Sequence, residues 1–335
     1  MHREAAESGD TVRRQLSATS SLFRGLGAHL RRHPPKAIIT CARGSSDHAA
    51  TYGKYVIETH TGVPVSSAAP SLSSMYGVSP HLKDCLYFAV SQSGRSPDLL
   101  SSVEAARQGG AFVVSLCNEP SAPLNGLANV SIPLCAGREV SVAATKSYIG
   151  SIAAFLHLVA AWTERPDLLE ATAALPDDLD QAFELDWSAA VETLSDVRHL
   201  YVIGRGLGLG VAQEVALKCK ETCALHAEAF SGAEVRHGPF SLLSPTFPAL
   251  ILGQNDVTRA GLAALVPELL TRGVPTLHAG LGLSEGLQLP MLMCHPAAQP
   301  ALEAATAYRM LAALSVRRGL NPDHPPHLRK VTETH

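Results

Sequence analysis

The chain has 335 residues, enough for one large or two ordinary domains. Apolar residues make up 46% and charged residues 17%, which supports a sizeable core and excludes a disordered chain. With a net charge of −3, no basic run and no interleaving of aromatic with basic residues, a nucleic-acid surface is excluded, so an anionic ligand must be met by local dipoles and hydroxyls.

Residues 1–32 form a charged segment (Arg3, Glu4, Glu7, Asp10, Arg13, Arg14) that does not read as a signal peptide. From residue 36, strand-like and helix-like segments alternate. The spacing predicts strands over 37–42, 63–66, 84–90, 111–117 and 129–133. It predicts helices over about 47–59, 97–108 and 144–164. The apolar run from Ile149 to Trp162 is too short to cross a membrane and reads as a buried helix. A linker is expected near 164–180, where Arg165, Pro166, Asp167, Pro176, Asp177 and Asp178 gather.

The pattern then restarts. A helix over 177–196 leads to a strand over 199–203, a glycine-rich loop and a helix over 208–223. Later strands are expected at 248–253, 274–277 and 291–294, with helices over 257–272 and 300–317. The proline-bearing end, 319–335, reads as an extended tail. Alternation of this kind implies parallel sheets covered by helices on both faces, here in duplicate. The expected division is a helical segment 1–32, one α/β domain over 33–168, a second over 169–318 and the tail 319–335. The seven cysteines lie scattered in apolar patterns without a C-x-x-C, the usage of buried reduced thiols in a cytoplasmic protein.

Two corners stand out in the first half. Ser91-Gln92-Ser93-Gly94-Arg95-Ser96-Pro97-Asp98 joins an apolar strand to a helix, with Ser96 suited to the N-cap and Pro97 to the first helical position. Arg43-Gly44-Ser45-Ser46-Asp47-His48 repeats that logic after the preceding strand. Free N–H groups and the positive end of a helix dipole converge at such corners and suit phosphate, although an ordinary capped turn has the same outline. In the second half the matching places hold Gly204-Arg205-Gly206-Leu207-Gly208 and Gly253-Gln254-Asn255-Asp256, where an aspartate would repel an anion. One anion site is therefore expected, in the first half. The glycine loop does not fit a dinucleotide fingerprint, because Leu209 stands where the third glycine belongs and a shifted frame puts Val211 there.

The densest ionisable stretch is Lys218-Cys219-Lys220-Glu221 through His226, Glu228 and His237-Gly238-Pro239. Lys218 and Glu221 share a helix face, so the carboxylate reads either as a general base or as half of a surface ion pair. His237 reads as a proton-transferring imidazole on a loop or as a plain surface histidine. His226, Glu228 and His237 match no recognised zinc spacing. Lys330 lies on the tail, where a lysine is normally solvent-exposed.

In order along the chain, Gly44-Ser45-Ser46, Ser91-Gln92-Ser93-Gly94, Val142-Ala143-Ala144-Thr145-Lys146, Gly204-Arg205-Gly206, Ala216 to Glu221, His226-Ala227-Glu228, His237-Gly238-Pro239 and Leu328-Arg329-Lys330-Val331-Thr332 resemble the sugar isomerase (SIS) family. The resemblance covers about residues 20–335. It is nearest to the isomerase half of glucosamine-6-phosphate synthase and to the stand-alone glucosamine-6-phosphate deaminases.

The resemblance implies two tandem SIS domains, each a flavodoxin-like, three-layer αβα unit with a parallel sheet. It implies a homodimer with a shared site, no metal and no cofactor. By motif position, Ser45, Ser46, Ser91, Gln92, Ser93 and Ser96 would hold a sugar phosphate, and backbone near Val142 would line the sugar. Glu221 would move the proton between C1 and C2, and Lys218 would assist electrostatically. His237 would open the ring, and Lys330 would sit beside the carbonyl carbon.

Two departures bear on the activity. Residue 2 is His where the synthase has a cysteine nucleophile, and no glutaminase domain is expected, so glutamine-derived ammonia would be missing. Lys330 runs directly into Val331-Thr332, the form of the deaminases and deglycases. The expectation is an isomerising deaminase that turns glucosamine 6-phosphate into fructose 6-phosphate and ammonia. A fructosamine-6-phosphate deglycase, a galactosamine-6-phosphate deaminase and a non-catalytic phosphosugar sensor are the alternatives.

Overall fold

The computed structural model describes residues 1–330, so the expected Val331-Thr332 terminus lies outside the described residues. Among the described residues, ten strands form two separate five-stranded sheets, and every ladder is parallel.

The first sheet comprises β1 (Ala37–Cys41), β2 (Val65–Ser67), β3 (Cys85–Ser91), β4 (Phe112–Cys117) and β5 (Val130–Pro133), in the order β2-β1-β3-β4-β5. β3 is buried along almost its whole length, because helices cover both faces of a parallel sheet. Thr40 is registered on Phe88, and Phe88 on Val114. The helices that matter here are α1 (Ser8–Arg32), α2 (Ser45–Thr61), α3 (Pro97–Gln108) and α4 (Lys146–Thr163). α4 is buried from Lys146 to Trp162, as a helix apolar all round must be. No helix among the described residues is long and apolar enough to cross a membrane.

The second sheet comprises β6 (His199–Gly204), β7 (His226–Ser231), β8 (Ala249–Leu252), β9 (Thr276–Ala279) and β10 (Leu287–Leu289), in the order β10-β9-β8-β6-β7. Counted within each repeat, both sheets run 2-1-3-4-5, the flavodoxin-like order, so the duplicated α/β architecture expected from the sequence is present. Helices α5 (Pro166–Phe183), α6 (Leu209–Cys223) and α7 (Gln299–Arg317) complete the elements used below.

The chain divides into two compact units. The first holds Asp10–Glu139, Lys146–Ala173 and, of the tail, Arg329 and Lys330. The second holds Met1–Gly9, Val140–Thr145 and Ala174–Leu328. Core clusters sit beneath each sheet, around Tyr87, Val103 and Val113 in one and Tyr201, Ile251 and Leu265 in the other. Each such side chain contributes about 1.5–3 kcal/mol relative to exposure.

Four sequence expectations need correction. The segment expected as a linker, 164–180, is mostly helix: Pro166 opens α5, where its missing N–H costs nothing, and Pro176 is carried inside it. The helix expected over 177–196 is broken after Phe183 and restarts at Ser188–Leu194, where the Asp186 carboxylate accepts from the Ser188 N–H at 2.8 Å. The helix expected over 257–272 is two pieces, Arg259–Ala263 and Leu265–Thr271, because Pro267 cannot donate to residue 263. The last strand is Leu287–Leu289 rather than 291–294; Met291 and Met293 lie toward the surface after Pro290. β7 was not anticipated.

Candidate active site

In the first unit, β1 and β3 are neighbours whose right-handed crossovers leave in opposite directions. Their carboxyl ends therefore open a crevice at the switch point of the sheet. Both expected corners fall there. Gly44, at φ +56°, precedes α2 and places half-buried Ser45 and Ser46 in its first turn. At the other corner, Ser91 ends β3 and its hydroxyl oxygen accepts from the Gly94 N–H at 2.9 Å.

Gly94 is held at φ +61°, and a Cβ there would meet Ala122 at 2.6 Å and the Cys117 sulfur at 2.8 Å. Only glycine fits. Ser96 is the N-cap of α3 with Pro97 behind it, as expected, but its hydroxyl makes no capping hydrogen bond. Gln92, Ser93 and Ser96 are all half-buried.

One ion pair ties the two corners together. Arg43 Nε and Nη2 donate to Asp98 Oδ2 at 3.2 and 2.9 Å, and Asp98 is only 3% exposed. Asp98 also accepts from the Leu99 N–H at 2.8 Å. Its charge is thus matched before any anion arrives. Burial pushes the Asp47 carboxyl up from its ordinary value, against the opposing pull of His48 and Arg43. What remains is two helix N-termini with hydroxyl and amide side chains, an arrangement that receives a dianion.

Lys330 departs from the exposed lysine that a tail suggests. Its Nζ donates to Glu139 Oε2 at 2.9 Å, and its side chain is 23% exposed. Glu139 is buried and also accepts from the Ser147 hydroxyl at 2.8 Å and the Ser147 N–H at 3.3 Å. The carboxylate therefore pins the end of the tail to the first turn of α4.

In the second unit, Lys218 and Glu221 are not a surface pair. Lys218 is fully buried on α6, 2.6 Å from Glu221 and 3.2 Å from Glu214. Glu214 is buried as well and accepts from the Tyr308 hydroxyl on α7 at 2.9 Å. Burial alone would lower the Lys218 ammonium; the two carboxylates outweigh it and hold the group up, so it stays charged. Glu221 is the open member of the three, at 23% exposure. Glu214 escaped the sequence reading, although its spacing of four from Lys218 was the available signal.

His237 is exposed beside Gly238, at the end of the short turn Glu234–Arg236. The Val142 N–H donates to Asp323 O at 3.1 Å, so that amide is already engaged. His226 stands on β7 with its Nδ1 3.1 Å from His199 Nδ1. Among the described residues no cluster of three His, Cys, Asp or Glu side chains could hold a metal ion.

Two doubly wound repeats, one carrying a hydroxyl-lined crevice, define the class of protein. The model of the SIS domain matches residues 33–161 and 193–279, and the chain belongs to that family. A glutamine–fructose-6-phosphate aminotransferase of Sulfolobus acidocaldarius is 32% identical over 88% of this chain and 49% of its own length. One of Thermotoga maritima is 29% identical over 88% of this chain and 50% of its own. The chain thus spans about half the length of these curated relatives. Among solved structures, a protein of Silicibacter pomeroyi assigned as a phosphosugar isomerase superposes with a TM-score of 0.93 at 37% identity, over 96% of this chain and 99% of that one. A glucosamine-6-phosphate deaminase of Thermotoga maritima shares the fold at a TM-score of 0.75 and 19% identity, over 97% and 100% of the two chains.

Proposed function

We propose that the protein is an isomerising deaminase that converts glucosamine 6-phosphate to fructose 6-phosphate and ammonia. The observation that carries this reading is the crevice at the ends of β1 and β3, where hydroxyls and helix N-termini converge and Asp98 is already paired. The phosphate is held by Ser45, Ser46, Ser91, Gln92, Ser93 and Ser96. His237, supplied by the partner subunit of a homodimer, opens the ring.

Glu221 takes the proton from C2 and returns it to C1 through an enolamine, leaving an imine at C2. Water adds to that imine, the C–N bond breaks, and ammonia leaves with the ketone in place. Lys218 steadies the carboxylate, since a buried ammonium beside it stabilises the negative form. Lys330, fixed by Glu139, faces the carbonyl end of the open sugar.

The test is release of ammonia and fructose 6-phosphate from glucosamine 6-phosphate. Glu221→Gln is expected to lower kcat by about 10²–10⁴-fold, the usual weight of a positioned proton carrier. Substrate binding by calorimetry should change little. Wild-type turnover in Glu221→Gln, or no ammonia from the parent enzyme, overturns the reading.

A further inference from the structure

Two histidines meet where the second sheet begins. His199 opens β6 and His226 opens β7, and the parallel ladder registers one directly on the other. Their Nδ1 atoms face each other at 3.1 Å, and both residues are exposed. The two rings stand edge to face, with centroids 5.4 Å apart and planes at 89°. His199 also packs on Phe247 at 5.2 Å, and Phe247 on Tyr201 at 4.5 Å, so aromatic contacts hold its ring in place.

On their own, two neutral imidazoles at this distance share one N–H, which one ring donates and the other accepts. The same separation suits a second use. Nitrogens 3.1 Å apart, each bound to one ion at about 2.0–2.1 Å, subtend roughly 100° at that ion. This lies between the right angle of square-planar or octahedral coordination and the tetrahedral angle. Both rings then carry their protons on Nε2, so binding requires a change of tautomer in one ring and no new placement of either.

Imidazole suits copper, nickel and zinc ions, whereas magnesium and calcium take oxygen. Among the described residues no third His, Cys, Asp or Glu completes a cluster with the pair. Water must fill the other positions, which is the pattern of an open, exchangeable site rather than a closed structural one.

We infer that His199 and His226 form a two-imidazole chelate for a divalent transition-metal ion, with Cu²⁺ bound most tightly. The ion bridges β6 and β7. β7 is the edge of its sheet and follows α6 after two residues, so the ion adds a tie to a strand that is paired on one side only. No step of the deaminase reading uses this site, and the two stand or fall separately.

The probes are Cu²⁺ and Ni²⁺ titrated into the whole protein, with Mg²⁺ as the hard-cation control. The chain has 15 histidines, so variants isolate the site. His199→Gln and His226→Gln should each weaken the tightest Ni²⁺ site about tenfold or more in calorimetry. His33→Gln alters another close imidazole pair, His29 and His33 with centroids 4.8 Å apart, and should leave that site unchanged. One equivalent of Cu²⁺ on the parent protein should give an electron paramagnetic resonance spectrum with two equatorial nitrogens, reduced to one in His226→Gln. Amide exchange across residues 226–231 should slow when Ni²⁺ is bound. The chelate is overturned by a parent protein without a Ni²⁺ site, by undiminished affinity in the two glutamine variants, or by a single nitrogen on copper in the parent. An equal loss in His33→Gln, or displacement of Ni²⁺ by equimolar Mg²⁺, overturns it too. Unchanged amide exchange with both nitrogens on copper keeps the chelate and refutes the tie between the strands.

Discussion

The two repeats share one strand order and use the same crevice in opposite ways. In the first, the ends of β1 and β3 are lined by hydroxyls, and the buried Asp98 carboxylate is tied to Arg43. In the second, the equivalent place between β6 and β8 is filled by protein. Gln254 is completely buried and donates to Glu303 at 2.7 Å. Gln299 donates to Gly253 O at 2.9 Å and accepts from the Asn255 N–H at 3.2 Å. Gln254 packs so closely that a Cβ on Gly208 would come within 2.9 Å of its amide. Asp256 spends its carboxylate on Thr258, accepting from the N–H at 2.8 Å and the hydroxyl at 2.6 Å. Topology supplies the crevice; the side chains at two loop positions decide whether it stays open or becomes core.

Lys218→Met tests the largest consequence of that division, since the second repeat trades an anion crevice for a buried charge cluster on α6. Removing the ammonium takes away the cation 3.2 Å from buried Glu214 and 2.6 Å from half-buried Glu221. Loss of one partner from a buried pair costs about 3–5 kcal/mol. Chemical denaturation should show a loss of that order, with turnover falling as well. Lys218→Met combined with Glu214→Gln should recover part of the stability and none of the activity. An unchanged midpoint in Lys218→Met would mean that the cluster is not buried as described.

The filled crevice has its own pH signature. Burial pushes the Glu303 carboxyl up to about 8, against the smaller opposing pull of Gln254 and Gln299. An unfolded glutamate ionises near 4.5, so between pH 4.5 and 8 the folded state keeps a proton that the unfolded state has lost. Stability carried by this group therefore declines as pH rises through that window and levels off above it. The total is on the order of 5 kcal/mol. Glu303→Gln should flatten the decline, so that the variant gains on the parent as pH is raised from 5 to 8.5 in thermal melts. A parallel pH dependence in both proteins would place the charge elsewhere.

Much of this was legible in the residues. Ser96-Pro97 marked the start of α3 to the residue, because an N-cap followed by proline is a local signal that tertiary packing does not override. The two serine corners were placed at a sheet end for the same reason. β7 was hidden because it is an edge strand whose exposed face carries His226 and Glu228, which read as chemistry rather than as alternation. Depth was equally invisible. The spacing of Lys218 and Glu221 puts them on one face, but only α7, through Tyr308, shows that this face is buried. The anchoring of Lys330 by Glu139 joins residues 191 apart and has no local signature.

The smallest effect separates the tuning of the open crevice from its framework. Arg43 is 56% exposed, so its ion pair with Asp98 is screened on one side and contributes about 1 kcal/mol or less to stability. Its larger consequence is electrostatic: without the guanidinium, the Asp98 charge loses its cation at the corner proposed to hold the phosphate. Arg43→Ala should therefore raise KM for glucosamine 6-phosphate about five- to tenfold, the scale of roughly 1 kcal/mol in binding, with kcat and melting temperature nearly unchanged. Arg43→Lys should restore much of the affinity, since charge rather than fork geometry is what balances Asp98. The same substitution at Arg205, which opens the filled crevice of the second repeat, should leave KM alone. A KM change at both arginines would mean that the two crevices are not as different as their side chains make them.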